Sequence, residues 1–260
     1  MDNDITQNKM GTDPNTTNLT NCKNVLASVL GLAMHFLNIL TFDRKNPQKL
    51  YPVCSYIRLL ELACACKALV EKDALIGIPV LLRSMFEIDI DLTNLIREPE
   101  YFKYMYAAFL KEKHKFVNEV EKPKDNPFFV DIKIQQNSKA DIEKTEGELA
   151  KLKNAGFSPL NIKQRAERAG KLNEYVSLYK DLCLDTHNNI SSLEDWHIEM
   201  NGSDYKVAAF KKKAGDLLPH LIAILGILLH QTKNLAGFLQ IDGIQFEKYF
   251  QELESIQQSH

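Results

Sequence analysis

The sequence predicts an all-α protein, a single-domain bundle of about seven to nine helices. Three observations carry that expectation. Apolar residues recur at spacings of three and four through most of the 260 residues. Alternating strand patterns are nearly absent. Helix-breaking and helix-starting pairs, Asn46-Pro47, Glu98-Pro99 and Ser158-Pro159, punctuate the chain.

The elements follow in order. Residues 1–18 are polar and rich in Asn, Asp and Thr, without the apolar centre of a signal peptide. A disordered tail is expected there. From about 19 to 42, Val25, Val29, Leu32, Phe36, Ile39 and Leu40 mark a helical stripe. A second helix is expected over roughly 49–72, where Ala63, Cys64, Ala65 and Ala68 allow close packing. Asp73 can cap a third, whose Gly77 and Pro79 suggest a kink or a late start before it runs to Arg97.

A fourth helix spans about 100–120 and carries Tyr101, Tyr104, Tyr106 and Phe109, read as packing residues with polar tips. Residues 122–137 read as an irregular excursion. Ser138-x-x-Asp141 resembles a capping box and starts a charged helix that Gly156 closes. With few large apolar residues, that helix is expected to project from the core or to cover it loosely, and 122–157 is taken as a loop plus a charged arm. Shorter helices are expected at 161–168 and 172–184, with a segment through Trp196. Asn201-Gly202-Ser203-Asp204 is a turn. Two helices close the domain, at about 215–239 and 244–256.

Composition narrows the function classes. Net charge is -2, so no global pull toward nucleic acid or anionic membrane exists. Lys211, Lys212 and Lys213 form a short basic run, read as a solvated face. The apolar run 217–229, interrupted by Pro219 and His220, is shorter than the roughly 20 residues of a membrane span. It reads as a core helix, and no membrane partner is expected. Five cysteines without a Cys-x-x-Cys pair indicate neither a zinc knuckle nor a redox motif. Reduced, buried thiols in a cytoplasmic protein are the simplest reading. No phosphate-binding Gly loop, nucleophile elbow or His-Glu-x-x-His element occurs. Glu194-x-x-His197 has di-iron spacing but no second copy, so neither a metal nor a cofactor is expected.

Three residues stand out as a candidate site. Arg83 and Glu87 lie four apart in the apolar segment 74–97, and Asp91 and Asn94 continue their stripe. Ile76, Val80 and Ile90 lie near it, which favours a buried structural pair over a functional pocket or a solvated face. His187, just beyond the helix ending near Leu184, is either a helix-terminal residue suited to the dipole or a general acid or base.

Arg83-Ser84-x-Phe86-Glu87 on its apolar helix, followed later by Tyr175 and then His187, resembles the signature of an uncharacterised bacterial all-helical family. The resemblance covers roughly 50–193. It is to a domain of unknown function seen in mobile or variable bacterial loci, and it implies a helical fold with Arg83, Glu87 and His187 as shared polar positions. A neighbouring similarity is to the higher-eukaryote-and-prokaryote nucleotide-binding group, helical proteins that include ribonucleases. Their hallmark is an Arg with a His four to six residues later. No Arg of this chain has one, so Arg83 and His187 would have to meet from different helices.

Two functions are therefore expected. One is a helical protein acting through protein or nucleic-acid interactions or by self-association, in a phage-defence or mobile-element setting. The other is an RNA- or nucleotide-directed hydrolase. In it Arg83 stabilises phosphate charge, Glu87 orients a neighbour and His187 moves the proton.

Overall fold

The computed structural model describes residues 14–72, 74–121, 138–186, 189–201, 204–207, 217–242 and 245–258. The tail 1–13, the cap at Asp73, the excursion 122–137, His187, the turn residues Gly202 and Ser203, and Lys211–Lys213 lie outside the described residues. Among the described residues the secondary structure is helical but for one small antiparallel strand pair. Its helices are α1 (Pro14–Ile39), α2 (Pro47–Glu71), α3 (Ile78–Arg97), α4 (Phe102–Glu121), α5 (Ser138–Asn154), α6 (Ile162–Ala169), α7 (Leu172–Glu174), α8 (Lys180–Thr186), α9 (Ile190–His197), α10 (Leu217–Phe238) and α11 (Glu247–Gln258).

Local chemistry explains most boundaries. α1 begins at Pro14, inside the stretch expected to be a tail, because proline suits a first turn whose N–H groups have no helical partner. α2 begins at Pro47 for the same reason, and the Asn46 side chain caps it by accepting from Gln48 N at 2.9 Å. A single 3-10 turn, Leu75–Gly77, precedes α3, so the late start before Pro79 is observed. Asn161 and Gln164 form a reciprocal capping box on α6. Gly170 ends that helix at φ 70°, a conformation that disfavours any side chain with a Cβ.

Two boundaries differ from expectation. Ile198–Asn201 and Asp204–Val207 pair antiparallel where helix signals had dominated. In their register Ile198 pairs with Val207 and Asn201 with Asp204. Pro219 and His220 do not interrupt the apolar run, because they fall in the first turn of α10. By length and composition, residues 18–39 of α1 and the 22-residue α10 are each apolar and long enough to cross a membrane. A buried core helix passes the same test, and Leu221, Ile224, Leu225, Leu228 and Leu229 of α10 are all buried.

The contacts gather into two compact units. Unit 1 holds residues 1–42, 53–89 and 173–260. α1 packs on α10 and α11, and its Leu26, Val29, Ala33 and Phe36 are buried. Tyr56 of α2 lies edge-on to Phe36, with centroids 5.6 Å apart. Its hydroxyl reaches Thr232 Oγ1 at 2.8 Å. Thr232 donates onward to Leu228 O, so Tyr56 gives its proton to Thr232. Gln231 of α10 donates to the Asp89 carboxylate, both residues being fully buried. Gln231→Ala should lower unfolding stability by about 2–3 kcal/mol in urea titration, because it removes a hydrogen bond to a buried carboxylate.

Unit 2 holds residues 43–52 and 90–172. α5 lies along α4. Tyr106 donates to Glu148 and His114 meets Glu146 at 2.7 Å, while Thr145 is buried. The charged helix thus covers its neighbour through polar contacts. The cysteines depart from the expectation of uniform burial. Cys22 and Cys66 are buried, and burial pushes both thiols up to about 12. Cys54 and Cys64 are exposed, because they sit on the outward face of α2.

Candidate functional site

α3 carries the polar stripe that the sequence marks, and each part of it has partners within its own unit. In unit 1, Arg83 and Glu87 approach at 3.5 Å. Their side chains keep 26% and 35% of their exposure, so the pair is neither sealed nor solvated. Of the three apolar neighbours that suggested burial, Ile90 is buried but Ile76 and Val80 are 58% and 40% exposed, and Leu82, Met85 and Phe86 supply the other buried positions of α3.

Tyr179 completes the cluster. Its hydroxyl accepts from Arg83 Nη2 at 3.1 Å and donates to Glu87 Oε1 at 2.9 Å. The Arg83 guanidinium also lies 5.3 Å from the centre of the Tyr179 ring. Phe86 and Tyr175 pack on the same ring at 5.8 and 5.4 Å. Burial is the main reason the Tyr179 phenol is pushed up to about 12, with the Glu87 carboxylate adding to it and Arg83 opposing. At neutral pH this phenol is a hydrogen-bond relay between two ions and not a nucleophile or base.

A π-helical turn brings Tyr179 there. Tyr175–Tyr179 form that turn between α7 and α8. The extra residue in the turn shifts the register of everything after it. Ser177 accommodates the widened backbone by donating to Asn173 O at 2.9 Å. Sequence reasoning found Tyr175 but missed Tyr179, because ordinary helical spacing does not reveal a π turn. The available signal was a second Tyr four residues on. His187 lies outside the described residues, so the structure brings together Arg83 and Glu87 of the three candidates.

In unit 2, Asp91 and Asn94 serve a separate cluster. Asp91 accepts from Tyr101 Oη at 2.8 Å and from Arg165 Nη1 at 2.9 Å. Asn94 donates to Arg165 O, and Arg97 donates to Ala169 O. These contacts tie α6 to the end of α3. Burial, together with the Asp91 carboxylate, raises the Tyr101 phenol well above its ordinary value. Among the described residues no group of three or more His, Cys, Asp or Glu side chains gathers as a metal set, and none surrounds Glu194 and His197 on α9.

A family described as a family of unknown function (DUF5677) matches residues 49–205. The chain belongs to that family. The matched segment takes in Arg83, Glu87 and Tyr179 and the whole Asp91–Arg165 cluster. Comparisons with curated proteins and with solved structures find no match.

Proposed function

We propose that this DUF5677 protein works by binding a protein partner, with the Arg83–Tyr179–Glu87 cluster holding the binding face in place. The observation that carries this reading is a set of exposed apolar side chains that follows the cluster in sequence. Leu184, Ile190 and Leu193 are 53%, 75% and 42% exposed on α8 and α9. Uncovered apolar groups of this kind mark protein-binding surfaces. A net charge of -2 and an apolar face favour a protein over a nucleic acid. The cytoplasm, and a bacterial phage-defence or mobile-element setting, belong to the same proposal.

Ile190→Asp combined with Leu193→Asp tests it. The variant should keep its helical circular dichroism, since both side chains are exposed. Its association, with a cross-linked partner or with itself in sedimentation, should weaken at least about tenfold. Unchanged association and unchanged activity would sink the proposal.

A second reading has one observation in its favour. Arg83 Nε is buried with no acceptor among the described residues. That donor would suit a phosphate oxygen in an RNA- or nucleotide-directed hydrolase using Arg83, Glu87 and His187. A folded His187→Ala protein with full activity would exclude this reading.

A further inference from the structure

Unit 2 carries a groove that the partner-binding reading does not use. α4 has two distinct faces. Ala107, Leu110 and Val117 are buried. Phe102, Met105, Tyr106 and Phe109 recur at helical spacing on a second face, where Tyr106 and Phe109 stay 42% and 58% exposed. Tyr51, near the start of α2, stacks on Phe102 with centroids 5.6 Å apart and planes at 23°. Tyr106 stacks on Phe109 at 6.0 Å and 19°. These four rings and Met105 line one groove of about 390 Å³. That volume falls in the range of small-ligand sites.

The chemistry of the walls selects the occupant. Aromatic faces carry negative charge density and attract cations. A carboxylate sits at the edge of the groove, because Tyr106 Oη donates to Glu148 Oε2 at 2.7 Å. The neighbouring cation is directed elsewhere. Lys103 pairs with Glu100 and lies over the Phe157 ring at 4.7 Å. An anion would meet Glu148 and the aromatic walls, with no cation among the described lining residues. A bare ammonium or guanidinium would bring N–H donors to walls that are almost wholly carbon. A cation whose nitrogen is covered by methyl groups satisfies both the charge and the apolar walls.

We propose that the Tyr51–Phe102–Met105–Tyr106–Phe109 groove binds a methylated ammonium group, with Glu148 supplying the opposite charge. The group can come from a small choline-like molecule or from a methylated lysine side chain.

The test is a titration of the full-length protein followed by the aromatic ring resonances of the groove. The probes are tetramethylammonium, choline, a trimethyllysine peptide and the neutral analogue 3,3-dimethylbutanol. The cations should bind at least about fivefold to tenfold more tightly than the neutral analogue. Phe109→Ala should abolish binding, and its exposed ring makes the change safe for the fold. Glu148→Gln should weaken binding about fivefold. Tyr106→Phe keeps the ring, releases the carboxylate and should behave like Glu148→Gln. A peptide preference over choline assigns the group to a protein, and equal affinity assigns it to a small molecule. Four results would overturn the proposal. One is equal affinity for the neutral analogue. Another is undiminished binding in Glu148→Gln. A third is absence of ring shifts with any cation. The last is shifts that track protein concentration alone and so report self-association.

Discussion

Tyr179→Ala is expected to destabilise the protein by about 3–5 kcal/mol in denaturant unfolding. Two losses combine in that figure. The ring is 6% exposed and packs against Phe86 and Tyr175, so truncation opens a cavity. The hydroxyl is the shared partner of Arg83 and Glu87, so truncation also takes one hydrogen bond from each of two half-buried ions. Tyr179→Phe separates the two. It keeps the ring and should cost about 1–2 kcal/mol. The phenol also gives a pH signature. Its proton is held more tightly in the folded state, at about 12 against an unfolded value near 10. Its contribution is therefore complete below about pH 10 and is lost as pH rises toward 12. Tyr179→Phe should flatten that part of the alkaline stability profile.

Asp91→Ala is expected to be comparably severe, about 3–5 kcal/mol. Asp91 is 9% exposed and takes one hydrogen bond from Tyr101 and one from Arg165. Removing it leaves the Arg165 guanidinium, 21% exposed, without its carboxylate and the buried Tyr101 hydroxyl without its acceptor. Asp91→Asn retains acceptors for both donors and should lose less. Urea unfolding of the two variants checks the order. A loss below about 1 kcal/mol for Asp91→Ala would show that the contact behaves as an exposed ion pair.

The fold was legible because its signals are local. Pro47, Pro79, Asn161 and Gly170 act within one turn of their own positions, and the elements they bound stand close to where the sequence places them. Of the stripe read over 19–42, Val25, Val29 and Phe36 are buried in α1 while Ile39 is 41% exposed, and the apolar run 217–229 lies in the largely buried α10. The polar stripe of α3 was legible too, as four residues sharing one side of a helix. Its partners were not. Tyr179 is 96 positions from Arg83 and Arg165 is 74 from Asp91, and no spacing rule spans such separations. The π turn that aims Tyr179 has no period of its own in the sequence. The hairpin at 198–207 was hidden because each strand is four residues long, too short for alternation to be read.

The half-burial of Arg83 and Glu87 shows a second limit. Apolar neighbours in sequence predicted a sealed pair. Yet α3 meets solvent through Val80, while Ile78, Leu82, Met85 and Phe86 of the same helix are buried. Functionally the distinction matters. A partly exposed guanidinium engaged by a buried phenol keeps one side open to solvent.

The most direct test is a double-mutant cycle between Arg83→Met and Tyr179→Phe, read by denaturant unfolding. If the cluster is one structural unit, the two changes should couple by about 1 kcal/mol or more, and Arg83 is an architectural residue. If the changes simply add, the guanidinium is not held by Tyr179. The structural account would then be contradicted, and Arg83 would stand available to a phosphate.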